Sequence, residues 1–118
     1  MAIIIRTQDP RQLLRRINQL IDNKRIKTWT YDDEGDYTTV SAQWRYRAWM
    51  HPIVPDINNH YPDDVLLFGI VGSRTYNMTK EIYGVYHSRF IATLLSHFDT
   101  EIEEIQPTTL LQKGIDRV

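Results

Sequence analysis

The spacing of apolar residues is helical in two segments of the chain. In residues 78–98, apolar side chains recur at intervals of three and four and cover more than half of the helical circumference, which is typical of a helix buried by other elements. Residues 10–22 have a narrower apolar face. Asp9 and Pro10 form a strong helix start, because Asp caps free amides and Pro suits the first helical position. The pattern therefore predicts two helices.

Extended segments are indicated by alternation and by β-branched composition. The predicted strands cover residues 2–6, 26–31, 37–40, 43–54 and 65–71. Residues 65–71 are apolar at nearly every position, which is typical of a strand buried on both faces. Residues 55–64 are rich in Pro, Asn and Asp and form a loop. Residues 99–105 fit either a helical continuation or an edge strand.

This order of elements predicts an α+β fold. We expect an antiparallel sheet of four to six strands with two helices packed on one face, and a ferredoxin-like arrangement is one such fold. The chain has 118 residues, 42% hydrophobic and 25% charged, which fits one soluble domain. We expect that domain to span residues 1–105, with a C-terminal tail at residues 106–118.

Charge and cysteine usage exclude several classes of function. The net charge of −1 gives no general reason to bind nucleic acid or an acidic membrane. Residues 1–30 carry seven basic and two acidic side chains, so they contribute +5 and the remainder −6. Without cysteine there is no disulfide, thiolate nucleophile or Cys-ligated zinc. Neither a signal peptide nor a membrane span is indicated, so we expect a cytoplasmic protein.

Motifs for catalysis and cofactor binding are also missing from the sequence. No serine lies in a G-x-S-x-G elbow, and the GIVGS segment lacks the P-loop lysine. The DDEGD segment lacks the calcium-loop pattern and fits a hairpin turn, and the four histidines lack zinc-site spacing. We therefore expect no catalytic residue, no cofactor and no metal.

An aromatic and basic surface is the main candidate for function. If the strands alternate regularly, the sheet face opposite the helices carries Trp29, Tyr31, Arg45, Arg47 and Trp49. Trp, Tyr and Arg are enriched at the hot spots of protein interfaces. The apolar strand at residues 65–71 also needs a cover on that face, which a protein supplies better than a nucleic acid. The sequence thus predicts a non-enzymatic interaction module, bound to a protein partner or self-associating as a homodimer through the sheet face.

Single-stranded nucleic acid is one alternative partner for the same surface. Bases would stack on Trp29 and Trp49 while Arg45 and Arg47 contact phosphates. The sequence contains no RNP-type aromatic motif, and the net charge gives no support. We therefore do not expect nucleic acid to bind.

A small-ligand or enzyme site is the other alternative. It would lie between the long helix and the sheet and be built on His87 with Tyr83 and Arg89. Burial disfavours the charged form of histidine, so His87 could act as an acid or a base there. An open cavity beside His87 would favour this alternative, whereas a filled core would favour the interaction module.

Overall fold

The computed structural model describes residues 2–118, which form six strands and two helices. In chain order these are β1 Ala2–Arg6, α1 Pro10–Asp22, β2 Trp29–Tyr31, β3 Tyr37–Thr39, β4 Ala48–Ile53, β5 Val65–Gly72, α2 Lys80–Phe98 and β6 Glu104–Pro107. The predicted α+β class, with six strands and two helices, is confirmed.

The six strands form one antiparallel sheet in the order β2-β3-β4-β5-β1-β6. If β2 and β3 are left out, the remaining strand order is β4-β5-β1-β6. It contains two βαβ units, β1-α1-β4 and β5-α2-β6, whose strands alternate in the sheet, and this is the ferredoxin-like arrangement. The hairpin extends the sheet beyond β4. As a result, β2 and β6 are the two edge strands.

Both helices begin at the capping residues that the sequence contains. The Asp9 carboxylate accepts a hydrogen bond from the Gln12 amide at 3.1 Å. The Thr79 hydroxyl accepts one from the Ile82 amide at 3.1 Å, and Thr79 itself is extended. Thr79 is therefore the N-cap of α2, and the helix begins at Lys80.

The core lies between the helices and one face of the sheet. Phe90 of α2 is at its centre, with its ring 4.7 Å from Phe68 of β5 and 5.0 Å from Trp29 of β2 between centroids. Apolar residues from both helices pack there against alternate residues of the central strands. They are Leu13, Ile17, Ile82, Tyr86, Leu94 and Phe98 from the helices, and Ile3, Ile5, Met50, Leu66, Phe68 and Ile70 from the strands.

The strand predicted from residue 43 is wrong in its first part. Residues 42–47 form turns, and β4 begins only at Ala48. The Ser41 carbonyl accepts hydrogen bonds from the amides of Trp44 and Arg45 at 3.0 and 2.8 Å. Tyr46 then has φ 62°, a left-handed conformation that ends any extended alternation.

Residues 99–105, left open by the sequence, turn after α2 and then enter β6 at Glu104. The end of the chain returns to the sheet. The Arg117 amide donates to the Ile70 carbonyl, and the Arg117 carbonyl accepts from the Gly72 amide, both at 2.7 Å. Arg117 thus forms a parallel bridge with Val71 at the end of β5, on the side away from β4.

Candidate interaction surface

One face of the sheet carries no helix. We define the outer face by the residues of β4 and β5 that alternate with the core residues: Trp49, His51, Leu67, Gly69 and Val71. The C-terminal segment crosses this face at Gly69, where a Cβ atom would lie 2.0 Å from the Ile115 carbonyl oxygen. The apolar cover that we assigned to a partner is therefore supplied in part by the chain itself.

The β4 side of the outer face continues into a cluster of exposed and partly buried aromatic and arginine side chains. We call this cluster the aromatic patch; it comprises Arg45, Tyr46, Arg47, Trp49 and Tyr76. The Tyr46 and Trp49 rings are 6.4 Å apart between centroids, and Tyr46 is 54% exposed. The guanidinium carbon of Arg45 lies 5.7 Å from the Tyr46 ring, and that of Arg47 lies 3.7 Å from the Tyr76 ring. Each arginine is thus placed over an aromatic face.

Hydrogen bonds to the core fix the turn that presents the aromatic patch. The Tyr86 hydroxyl of α2 donates to the Trp44 carbonyl, and burial raises the pKa of Tyr86, so this donor stays protonated at neutral pH. The Tyr46 amide donates to the Thr38 hydroxyl at 3.2 Å. The exposed Tyr46 ring therefore lies on a turn that two hydrogen bonds hold against α2 and β3.

An acidic turn borders the outer face near the other end of β4. The Asp32 carboxylate accepts hydrogen bonds from the amides of Glu34 and Asp36, both at 3.0 Å, which closes residues 32–36 into the hairpin turn. The Asp36 carboxylate lies 2.6 Å from Nδ1 of His51 on the outer face. Asp33 and Glu34 are exposed. Charge along β4 therefore changes from positive at the aromatic patch to negative at this acidic turn.

The structure brings only three of the five predicted interaction residues together. Arg45, Arg47 and Trp49 belong to the aromatic patch, whereas Trp29 is 2% exposed and packs in the core. Tyr31 lies on the same side of β2, and its hydroxyl donates to Asp22 of α1 at 2.6 Å. Alternation correctly predicts that these two rings lie on the opposite side of β2 from Thr30. It does not reveal which side faces the helices.

Tyr46 and Tyr76 were missed by sequence reasoning. Regular alternation assigned Tyr46 to the side of Trp44, and only its positive φ turns the ring toward Trp49. Tyr76 lies in the connection between β5 and α2, which carried no prediction. The Arg45-Tyr46-Arg47 sequence is the signal that could have identified the cluster.

His87 lies in the protein interior. It is 4% exposed, and its Nδ1 is 2.9 Å from the Tyr83 carbonyl oxygen. Since a carbonyl only accepts, Nδ1 carries the proton of this bond. The Tyr83 ring is 6.1 Å away between centroids, but Arg89, two residues along the helix, is exposed on the opposite side beside Val40. Burial, with a contribution from Asp116, raises the pKa of the Tyr83 hydroxyl.

Among residues 2–118, no three His, Asp or Glu side chains are grouped so that they could bind a metal ion, and no helix is long and apolar enough to cross a bilayer. No protein-family model, curated protein or solved structure matches the chain. Evidence for the function of the aromatic patch and the outer face therefore comes from their own residues.

Proposed function

We propose that this chain is a non-enzymatic interaction module that self-associates through its outer face, with the aromatic patch at the centre of the contact. The observation that carries the proposal is the Tyr46–Trp49 pair, in which Tyr46 is exposed and Trp49 is partly buried, flanked by arginines on a sheet face that neither helix covers. Tyr, Trp and Arg supply large contact areas with few rotatable bonds, and they dominate interface hot spots.

The charges along β4 support a second copy of the chain as the partner. Residues 47–51 span about 13 Å at roughly 3.3 Å per residue, with arginines at one end and the acidic turn at the other. In a two-fold contact centred on Trp49, Arg45 of each copy would approach Glu34 of the other. A two-fold interface requires such a self-complementary surface. The opposite charges would fix orientation more than affinity.

The size of the molecule allows such a contact. A stable interface buries about 800 Å² on each partner, which is roughly a tenth of the 7337 Å² surface of this chain. The C-terminal segment covers the outer face at Gly69 and leaves Trp49 only partly buried. The proposed contact therefore lies on the β4 side, between that segment and the acidic turn.

Sedimentation equilibrium from low to high micromolar concentration tests the proposal. The wild-type chain should form dimers, and Trp49→Glu should shift the equilibrium to monomer, because a hot-spot aromatic contributes about 2 kcal/mol or more. Ile57→Glu is the matched control, since Ile57 is 84% exposed in a loop away from this face. A wild-type chain that stays monomeric at high micromolar concentration, or two variants that behave alike, would contradict the proposal.

Nucleic acid is the second candidate for the aromatic patch, because Arg45 and Arg47 stand beside exposed rings. The acidic turn on the same face would repel a phosphate backbone. We therefore expect no binding of labelled single strands at physiological salt. A low-micromolar affinity that weakens steeply with salt, and falls with Arg45→Ala, would reverse this ranking.

A further inference from the structure

The β6 edge of the sheet borders an apolar groove. Strand β6 pairs only with β1, and a groove of about 340 Å³ lies between β6 and α2. Four aliphatic side chains line the groove: Ile91, Leu95, Ile102 and Ile105. Leu95 is 55% exposed, so this part of the groove is open to solvent.

The register of β6 shows which of its backbone groups are on the free edge. Hydrogen-bonded and non-bonded pairs alternate in an antiparallel ladder. The Thr108 amide donates to the Ala2 carbonyl at 2.8 Å, and the register places Gln106 opposite Ile4. Gln106 therefore bonds to β1, and the N–H and C=O of Ile105 point away from it. A strand added at this edge would find one donor and one acceptor at Ile105.

Acidic side chains surround the groove. Asp99 and Glu103 are exposed at its rim. Glu104 also lines it and lies 3.3 Å from Arg6, the nearest basic side chain of β1. The charged residues that line the groove are therefore all acidic. A partner with positive charge would be complementary to it.

We propose that the β6 edge binds an extended peptide strand in which apolar residues alternate with Lys or Arg. Because side chains of a strand alternate between two faces, one set would enter the groove beside Leu95 while the other set points to the opposite face, where Glu104 lies beside Arg6. Backbone bonds to Ile105 would align the strand. The opposite edge of the chain, β2, is an unsuitable occupant, because its larger residues Trp29 and Tyr31 are already packed against the helices.

An NMR titration with a synthetic peptide of alternating Ile and Lys tests the proposal. Shifts should cluster at residues 91–107, and the Ile105 amide should become protected from hydrogen exchange because it gains a bonding partner. The same peptide with Glu in place of Lys should not bind. Performing the titration in the Trp49→Glu chain separates this site from the proposed dimer contact, and binding should be unchanged there.

Two exposed substitutions provide the matched comparison. Leu95→Lys should weaken peptide binding at least tenfold, since it removes an apolar contact and adds repulsion, whereas Ile57→Lys should have no effect. The proposal is overturned if shifts are missing, if they cluster at the aromatic patch, or if Leu95→Lys binds like the wild-type chain. Shifts at residues 91–107 that depend on the concentration of the Trp49→Glu chain without peptide would identify a second copy as the occupant and would also overturn the proposal.

Discussion

Replacing Gly69 by Ala should detach the C-terminal segment from β5. The new Cβ atom would lie 2.0 Å from the Ile115 carbonyl oxygen and 2.7 Å from its carbonyl carbon, so one of the two backbones must move. Strand β5 is paired on both sides, by β4 and β1, whereas residues 115–118 are attached along one side. The C-terminal segment is therefore the part that should shift.

The cost can be worked out from the bonds that attach this segment. Arg117 makes two backbone hydrogen bonds to β5 at 2.7 Å, and the Asp116 carboxylate accepts a third from the Ile70 amide at 2.9 Å. At about 1 kcal/mol for each bond, their loss lowers the free energy of unfolding by about 3 kcal/mol. The released residues regain conformational entropy, which offsets part of this loss.

Urea unfolding of the full chain and of a chain ending at residue 111 tests the reasoning. Gly69→Ala should lower the free energy of unfolding of the full chain and leave that of the short chain nearly unchanged, because the three heavy atoms nearest to the new Cβ atom all belong to Ile115. Gly84→Ala is the control. Nothing lies within 4 Å of its Cβ position in α2, so this substitution should raise the free energy of unfolding by about 0.5–1 kcal/mol. Equal costs of Gly69→Ala in both chains would refute the proposed clash.

Two other predictions concern stability. Burial, with smaller electrostatic contributions, raises the pKa of Tyr37. Above pH ~10 Tyr37 ionises first in the unfolded chain, so the free energy of unfolding should fall by up to ~1.4 kcal/mol per pH unit. In urea titrations at several pH values, Tyr37→Phe should make this fall less steep. An unchanged slope would contradict the prediction. Thr79→Ala should cost about 1 kcal/mol by removing the α2 cap. Thr93→Ala loses only a bond to the Arg89 carbonyl, so it should lower the stability less than Thr79→Ala does when both variants are compared by thermal unfolding.

The elements that follow from local chemistry could be predicted from the sequence. Asp9, Pro10 and the apolar periodicity located both helices, and continuous apolar composition located β5. The turn at residues 42–47 could not be predicted, because it depends on a buried Tyr86 hydroxyl that reaches the Trp44 carbonyl from another element. Such long-range bonds override the alternation of the local sequence.

The candidate surface was only partly predictable for the same reason. Trp49 was placed correctly relative to its neighbours in β4, since alternation holds within a regular strand. Trp29 was assigned to the wrong side of the sheet, because the pattern of β2 is equally compatible with either face. The passage of Ile115 over Gly69 left no local signal apart from the glycine itself.

A charge-swap experiment tests the two-fold contact most directly. Arg45 and Glu34 are both exposed, so Arg45→Glu and Glu34→Lys should leave the fold intact. Each variant alone would place like charges across the contact and should sediment mainly as monomer. An equimolar mixture pairs opposite charges again and should form heterodimers in sedimentation equilibrium. Variants that dimerise alone like the wild-type chain, or a mixture that remains monomeric, would contradict self-association through the outer face.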